Sequence, residues 1–332
     1  MDKNIKRLNG QRITDEELSD RLAVLDRIVV KHTRFNELHE AIRECHVLQS
    51  KSLNKKGLCI LGDTGAGKST LFKTYESFHP RETRVKKINN QTVTFPKVPV
   101  LRVELDSNSK PLNVASKMLE ELGDPFHYKG TEKQLTTRLK GFIEDCEVEL
   151  IIIDELQHLI DTDTQRVIRK AADWLKQLVN DVNLPIVFGG IKDDASRIFS
   201  SNKQLDERFP YKPSFPGFKY ETEKEKKEFC TFLNSIEFKL PFPDNSELAD
   251  PYLSEKLYYA SLGIPRTLNH LLYHSTKIAL KDGMDRIEER HLQEGFDQLS
   301  FETRPRVKNP FHGKVFDLRV AIASEKLTKS TK

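Results

Sequence analysis

The sequence predicts an α/β fold, a mostly parallel doubly wound sheet followed by a smaller helical part, and three observations predict it. Residues 62–70 read GDTGAGKST, a glycine-rich loop between an apolar run and a helical stretch. Residues 149–159 read ELIIIDELQHL, a second apolar run that ends in two adjacent carboxylates. Between and beyond them, apolar strand-like runs alternate with helical periodicity until about residue 218, after which strand signals fade.

The loop meets the pattern G-x-x-x-x-G-K-[ST] with Gly62, Gly67, Lys68 and Ser69. Gly57-Leu58-Cys59-Ile60-Leu61 before it suits a buried parallel strand, and Thr70-Leu71-Phe72 after it can continue a helix. Glycines let the backbone of Gly62, Asp63, Thr64, Gly65, Ala66 and Gly67 curl and aim its N–H groups at phosphate oxygens, with the helix start at Lys68, Ser69 and Thr70 behind them. Lys68 is expected to reach the β- and γ-phosphates, and Ser69 to ligate Mg²⁺. Asp154 and Glu155 close the run Leu150-Ile151-Ile152-Ile153 at the carboxyl edge of the sheet. Asp154 is expected to hold the Mg²⁺ through water, and Glu155 to polarise the attacking water. Together the two motifs predict binding of a nucleoside triphosphate with Mg²⁺ and its hydrolysis, with ATP the default nucleotide because no guanine-reading motif stands out.

The other elements follow in order. Residues 1–30 are polar, with one amphipathic stretch at 16–25, and read as an arm. Residues 31–56 carry helical periodicity through Phe35, Leu38 and Ile42. Residues 81–97 (RETRVKKINNQTVTFPK) are basic and strand-like, as in an edge hairpin, and 98–105 reads as a strand. Helices are expected from Pro111 to about Leu122, over 131–146 and over 164–180, with a strand at 184–190. Residues 221–238 and 253–300 read as helices. The predicted organisation is therefore an arm at 1–30, an α/β domain at 31–218, a helical bundle subdomain at 219–302 and a basic tail at 303–332.

Composition bounds the function. The 332 residues are 37% hydrophobic and 31% charged with a net charge of only +4, so a nucleic-acid footprint has to be local. The four cysteines (Cys45, Cys59, Cys146 and Cys230) form no C-x-x-C pair, which argues for reduced thiols and against a zinc site. With no apolar stretch near eighteen residues and no signal region, the sequence predicts a cytoplasmic protein without a membrane partner.

Phosphate loop, DE strand, the strand LPIVFGG, the sequence QLDERF and the helical GIPRTLNHLL occur in an order that resembles the AAA+ ATPases, and within them the TnsC/TniB transposition regulators; Asn309-Pro310-Phe311 adds to the likeness. The resemblance spans about 30–311. It implies an AAA+ P-loop NTPase with a C-terminal helical lid. It implies that Arg208 is an arginine finger offered to a neighbouring subunit, with Arg197 the rival and a surface arginine paired to Asp206 or Glu207 the alternative. Arg266 in the GIPR turn matches the second sensor. One departure stands out: the strand that should end in a polar first-sensor side chain ends Phe188-Gly189-Gly190, which leaves γ-phosphate sensing to backbone groups, Gln157 or His158.

The resemblance further implies assembly on duplex DNA as a ring or filament, with a transposase and a target-selector protein as partners. Lys86, Lys87, Asn108 and Lys110 are the candidate DNA contacts, residue types that hold phosphates without reading sequence. The tail cations Arg304, Arg306, Lys308, Lys314 and Arg319 read either as a DNA strap or as a partner-docking tail. Alternatives are another DNA-associated AAA+ task such as helicase or clamp loading, a P-loop kinase, and a nucleotide-locked scaffold that scarcely hydrolyses.

Overall fold

The computed structural model describes residues 5–50, 52, 55–88, 91–107, 109–160, 164–313 and 315–326; side chains at 86–88 and 91–93 also lie outside the description. The chain divides into two units, Thr33–Pro216 and a second made of Met1–His32 with Gly217–Lys332.

The chain starts in the second unit with α1 (Asp15–Asp26), whose Thr14 hydroxyl caps the Glu17 N–H. It then builds the first unit from α2 (Thr33–Gln49), β1 (Leu58–Gly62), α3 (Lys68–Ser77), β2 (Glu82–Ile88), β3 (Gln91–Lys97), β4 (Val100–Glu104), α4 (Pro111–Glu121), α5 (Glu132–Asp145), β5 (Leu150–Asp154), a single 3₁₀ turn at Leu156–Leu159, α6 (Gln165–Val182), β6 (Ile186–Gly190), α7 (Lys192–Ser201), α8 (Lys203–Arg208) and β7 (Ser214–Phe215). Five strands form one sheet in the order β4-β5-β6-β1-β7, every described pair parallel. After β1 the chain crosses to the far edge and returns strand by strand, so β6 lies between β1 and β5. Central strands β1, β5 and β6 are buried along their whole length, which explains their unbroken apolar runs. Leu101, Ile151, Ile153 and Phe188 meet Leu139, Leu175 and Leu178 from the helices in one core. Helix starts carry their local signals: Pro111 in the first turn of α4, and a reciprocal Thr131–Gln134 capping box on α5.

The segment 81–97 is a hairpin, as expected, with β2 and β3 antiparallel in a sheet of their own. Its arginines are engaged: Arg81 bonds the Glu121 carboxylate at 2.7 Å and Arg84 bonds Glu147 at 2.8 Å.

The second unit continues with α9 (Glu223–Glu237), α10 (Pro251–Ser261), α11 (Pro265–Lys281), α12 (Glu289–Asp297) and α13 (Leu318–Lys326). The residues expected to form an arm belong here: Leu8, Leu18, Leu22 and Leu25 share a core with Phe229, Leu257 and Leu271. Arg7 reaches Asp244 at 2.5 Å, and the Leu8 N–H donates to Asp285 at 2.7 Å. The residues expected to form a tail are likewise built in. Phe311 is buried in the same core, Asn309 donates to the Gln293 carbonyl, and α13 follows. Among the tail cations, Arg304 is spent on the Tyr259 and Ala260 carbonyls and the Glu325 carboxylate. Arg304 is therefore engaged within its own unit, where a DNA strap or a partner-docking tail was expected; Lys314 lies outside the described residues. No described helix is long and apolar enough to cross a membrane.

Candidate functional site

The phosphate-loop motif folds as its glycines require. β1 ends at Gly62, the loop turns through Asp63, Thr64, Gly65 and Ala66, and α3 begins at Lys68. Gly67 caps the helix at φ +111°, a backbone conformation that a side chain would strain. The Ala66 N–H donates to the Asp63 carbonyl at 3.2 Å, which closes the loop on itself. Lys68 is buried, and its Nζ donates to the Gly62 and Asp63 carbonyls at 2.9 and 3.0 Å. The loop thus seats an ammonium on its own carbonyls at the N-terminus of α3, and a cation at a helix N-terminus suits phosphate oxygens. Thr64 and Thr70 remain exposed beside it.

β5 brings the second motif to the same place. Ser69 Oγ donates to Asp154 Oδ2 at 2.6 Å, and the Glu155 N–H donates to Asp154 Oδ1 at 2.9 Å. Asp154 has no exposed surface, and this burial pushes its carboxyl above the usual range despite the Ser69 bond. Two oxygen groups, one an anion with little solvent to satisfy it, fit a hard divalent cation such as Mg²⁺. Glu155 follows in a left-handed conformation (φ +59°), which turns its side chain out of the strand at the sheet's carboxyl edge. Gln157 Nε2 donates to Glu155 Oε2, while Gln157 Oε1 accepts from the Ile191 N–H at 3.2 Å.

The glycines at the end of β6 have a steric reason. Because β6 lies between β1 and β5, the Ser69–Asp154 bond has to pass the Gly189 position. A Cβ on Gly189 would sit 2.4 Å from the Phe72 ring and 2.6 Å from Asp154 Oδ1. A polar first-sensor side chain cannot grow from that backbone. Phe72, which fills this space from α3, carried no functional reading in the sequence; the only signal was an aromatic residue three positions after Ser69.

The Arg208 carbonyl accepts from the Gly57 N–H, which puts Arg208 at the start of β1, the opposite edge of the sheet from the phosphate loop. Its guanidinium is half-buried and donates to the Lys55 carbonyl at 3.3 Å and to Asn180 Oδ1 at 3.0 Å. The alternative pairing to Asp206 or Glu207 is not what holds it; Asp206 is bonded to Lys212 at 2.7 Å. Arg197 lies 3.7 Å from Asp194 on α7. Arg266 is exposed in the first turn of α11, in the other unit. Lys110 is exposed at the start of α4, Lys86 and Lys87 stand in β2 opposite Val93 and Thr92, and Asn108 lies outside the described residues.

A family described as bacterial TniB protein matches residues 21–219, which include the phosphate loop, the DE strand and Arg208. The chain belongs to the TniB family. The match covers the whole sheet-bearing unit of this TniB-family protein, and it bears out the resemblance to the TnsC/TniB ATPases. Solved structures agree on the fold. The Aeropyrum pernix ORC1 protein, solved in complex with DNA, superposes with a TM-score of 0.55 at 15% identity, over 84% of this chain and 69% of its own. Cdc6p from Pyrobaculum aerophilum gives a TM-score of 0.57 at 12% identity, over 87% and 72%. The Aeropyrum pernix ORC2 protein, solved in ADPNP–ADP complexes, gives 0.54 at 15% identity, over 83% and 70%. The expected α/β AAA+ fold with a C-terminal helical region is thus the observed one. No protein of curated function matches the sequence.

Proposed function

We propose that this TniB-family chain is an ATP-dependent regulator of DNA transposition that assembles on duplex DNA and links a target-selector protein to a transposase. The observation that carries the reading is the convergence of Lys68, Ser69, Asp154 and Glu155 on one loop of a TniB-family AAA+ fold. DNA association draws support from the family; at 15% identity the likeness to an ORC1 protein in complex with DNA speaks to fold alone.

In this reading Lys68 and the loop N–H groups hold the triphosphate, and Ser69 and Asp154 hold Mg²⁺. Bound there, the cation would neutralise charge on the phosphates. Glu155 orients the attacking water and takes its proton. Arg208, sited across the sheet from its own loop, is the residue a subunit can offer to its neighbour. ATP between subunits then stabilises a ring or filament, and hydrolysis dismantles it. Arg266 would report the nucleotide state to the helical unit. Lys86, Lys87, Asn108 and Lys110 are the proposed backbone contacts to DNA.

The test is electron microscopy of the purified protein with duplex DNA and ATP, ADP or a slowly hydrolysed analogue. Rings or filaments that require a triphosphate support the reading. A monomer indifferent to DNA and nucleotide sinks it and favours a loader that acts only with a partner.

A further inference from the structure

The space at the end of β6 that lacks a polar side chain is not without a polar group. A Cβ on Gly190 would sit 3.2 Å from Leu156 Cβ and 3.4 Å from Gln157 Oε1, so the amide of Gln157 lies across the strand end where such a side chain would emerge. That amide has two partners of opposite kind. The Ile191 N–H can only donate, so it fixes Oε1 as the acceptor and turns Nε2 towards the Glu155 carboxylate. The backbone N–H and the acceptor-only carboxylate therefore demand the same orientation of the amide.

Three further features make the contact a positioning device. Glu155 leaves β5 in a left-handed turn, so its side-chain direction is fixed at the backbone but free beyond it. Gln157 lies in the single 3₁₀ turn that follows, whose Leu156 and Leu159 are anchored in the core. Ile191 is the residue before α7, and α7 runs into α8, which ends at Arg208. One side chain thus joins the proposed base to the start of the helix pair that carries the proposed finger.

We propose that Gln157 is the positioning residue for Glu155, supplying from the 3₁₀ turn the polar group that β6 cannot carry. The inference rests on Glu155 acting in ATP hydrolysis, as argued above. Removing the amide should release the Glu155 carboxylate to rotate away from the water it orients, which lowers turnover without touching the phosphate loop. A misplacement of about 1 Å at such a group costs on the order of 100-fold in rate.

The test is steady-state ATP turnover by the full chain with saturating duplex DNA, for Gln157→Ala, Gln157→Met, Glu155→Gln and a double variant Gln157→Ala/Gly190→Asn. Gln157→Met keeps the length and apolar packing of the side chain, so it separates the amide from the fold. The expected result is a kcat lower by about 10- to 100-fold in both single Gln157 variants, with KM and thermal midpoint near native. Partial recovery in the double variant would show that a polar group at this place is what matters. If Glu155→Gln loses turnover while Gln157→Met keeps it within about twofold, the positioning role is wrong and the hydrolysis reading stands. If Glu155→Gln keeps turnover as well, the hydrolysis reading itself fails and takes this inference with it.

Discussion

Ser69 and Asp154 share a 2.6 Å hydrogen bond although 85 positions separate them in the chain. The bond joins the first turn of α3 to the end of β5 across the glycine end of β6. Removing the hydroxyl strips a buried carboxylate of one of its two described donors. Ser69→Ala should therefore lower stability by about 1–2 kcal/mol in the absence of nucleotide. It should also raise the Mg²⁺ concentration for half-maximal turnover by roughly tenfold or more. Denaturant melts and a Mg²⁺ titration of turnover check the two parts separately.

Glu155→Gln should keep nucleotide affinity and stop turnover, because the amide fills the same place without accepting a proton. If hydrolysis dismantles the DNA assembly, the same variant should lengthen its lifetime after excess competitor DNA is added. An unchanged lifetime would favour the nucleotide-locked scaffold.

Arg208 offers a sharper discrimination, since its guanidinium already has two acceptors within the chain. Arg208→Ala should cost about 1 kcal/mol of stability from those bonds alone. As a finger it should also lose about a thousandfold in DNA-dependent turnover while the isolated chain binds ATP as before. Turnover that falls only with the folded fraction would make Arg208 a brace between α6 and β1 and pass the role to Arg197.

How much of this was legible in the sequence follows the range of the forces involved. The phosphate loop and the DE strand were legible because backbone curvature and strand burial leave local signatures in glycine spacing and apolar runs. Pro111 marked the start of α4 for the same reason. β7 was not legible, since a two-residue strand gains its identity only from pairing with β1. The basic tail misled because its composition is that of a solvated segment, while its anchoring rests on Phe311 and on carbonyls that Arg304 finds in α10. Phe188-Gly189-Gly190 read as a departure from a sensor strand; its reason lies in the order of strands, which sets Asp154 and Phe72 against Gly189.

That crowding gives a prediction of its own. Gly189→Asn, which would restore the polar side chain at that position, should impair the protein. Overpacking at such a site costs about 1–3 kcal/mol and would push Asp154 off Ser69. A thermal melt with and without Mg²⁺–nucleotide would register both the loss of stability and the loss of ligand stabilisation.

His32 gives the helical unit a pH dependence. Burial lowers its pKa from 6.5 to about 4, and its ring lies 4.9 Å from Phe218 and edge-on to Phe232. The unfolded chain takes up the proton first as pH falls, so stability is full above 6.5 and is lost as pH drops towards 4. The loss is on the order of 3 kcal/mol. Urea melts across that range should show a smaller loss in His32→Phe than in the native chain; His291, buried with its pKa also lowered, keeps a part of it.

The order in which the chain visits its two units has a practical meaning. It begins in the helical unit, leaves at Thr33 to build the sheet, and re-enters at Gly217. The sheet unit is thus spliced into the helical one, and two peptide crossings join them instead of one. A protease that nicks either crossing does not free a domain: Leu8, Leu18, Leu22 and Leu25 remain seated among Phe229, Leu257 and Leu271, and fragments cut between 30 and 34 should travel together on a sizing column until denaturant is added.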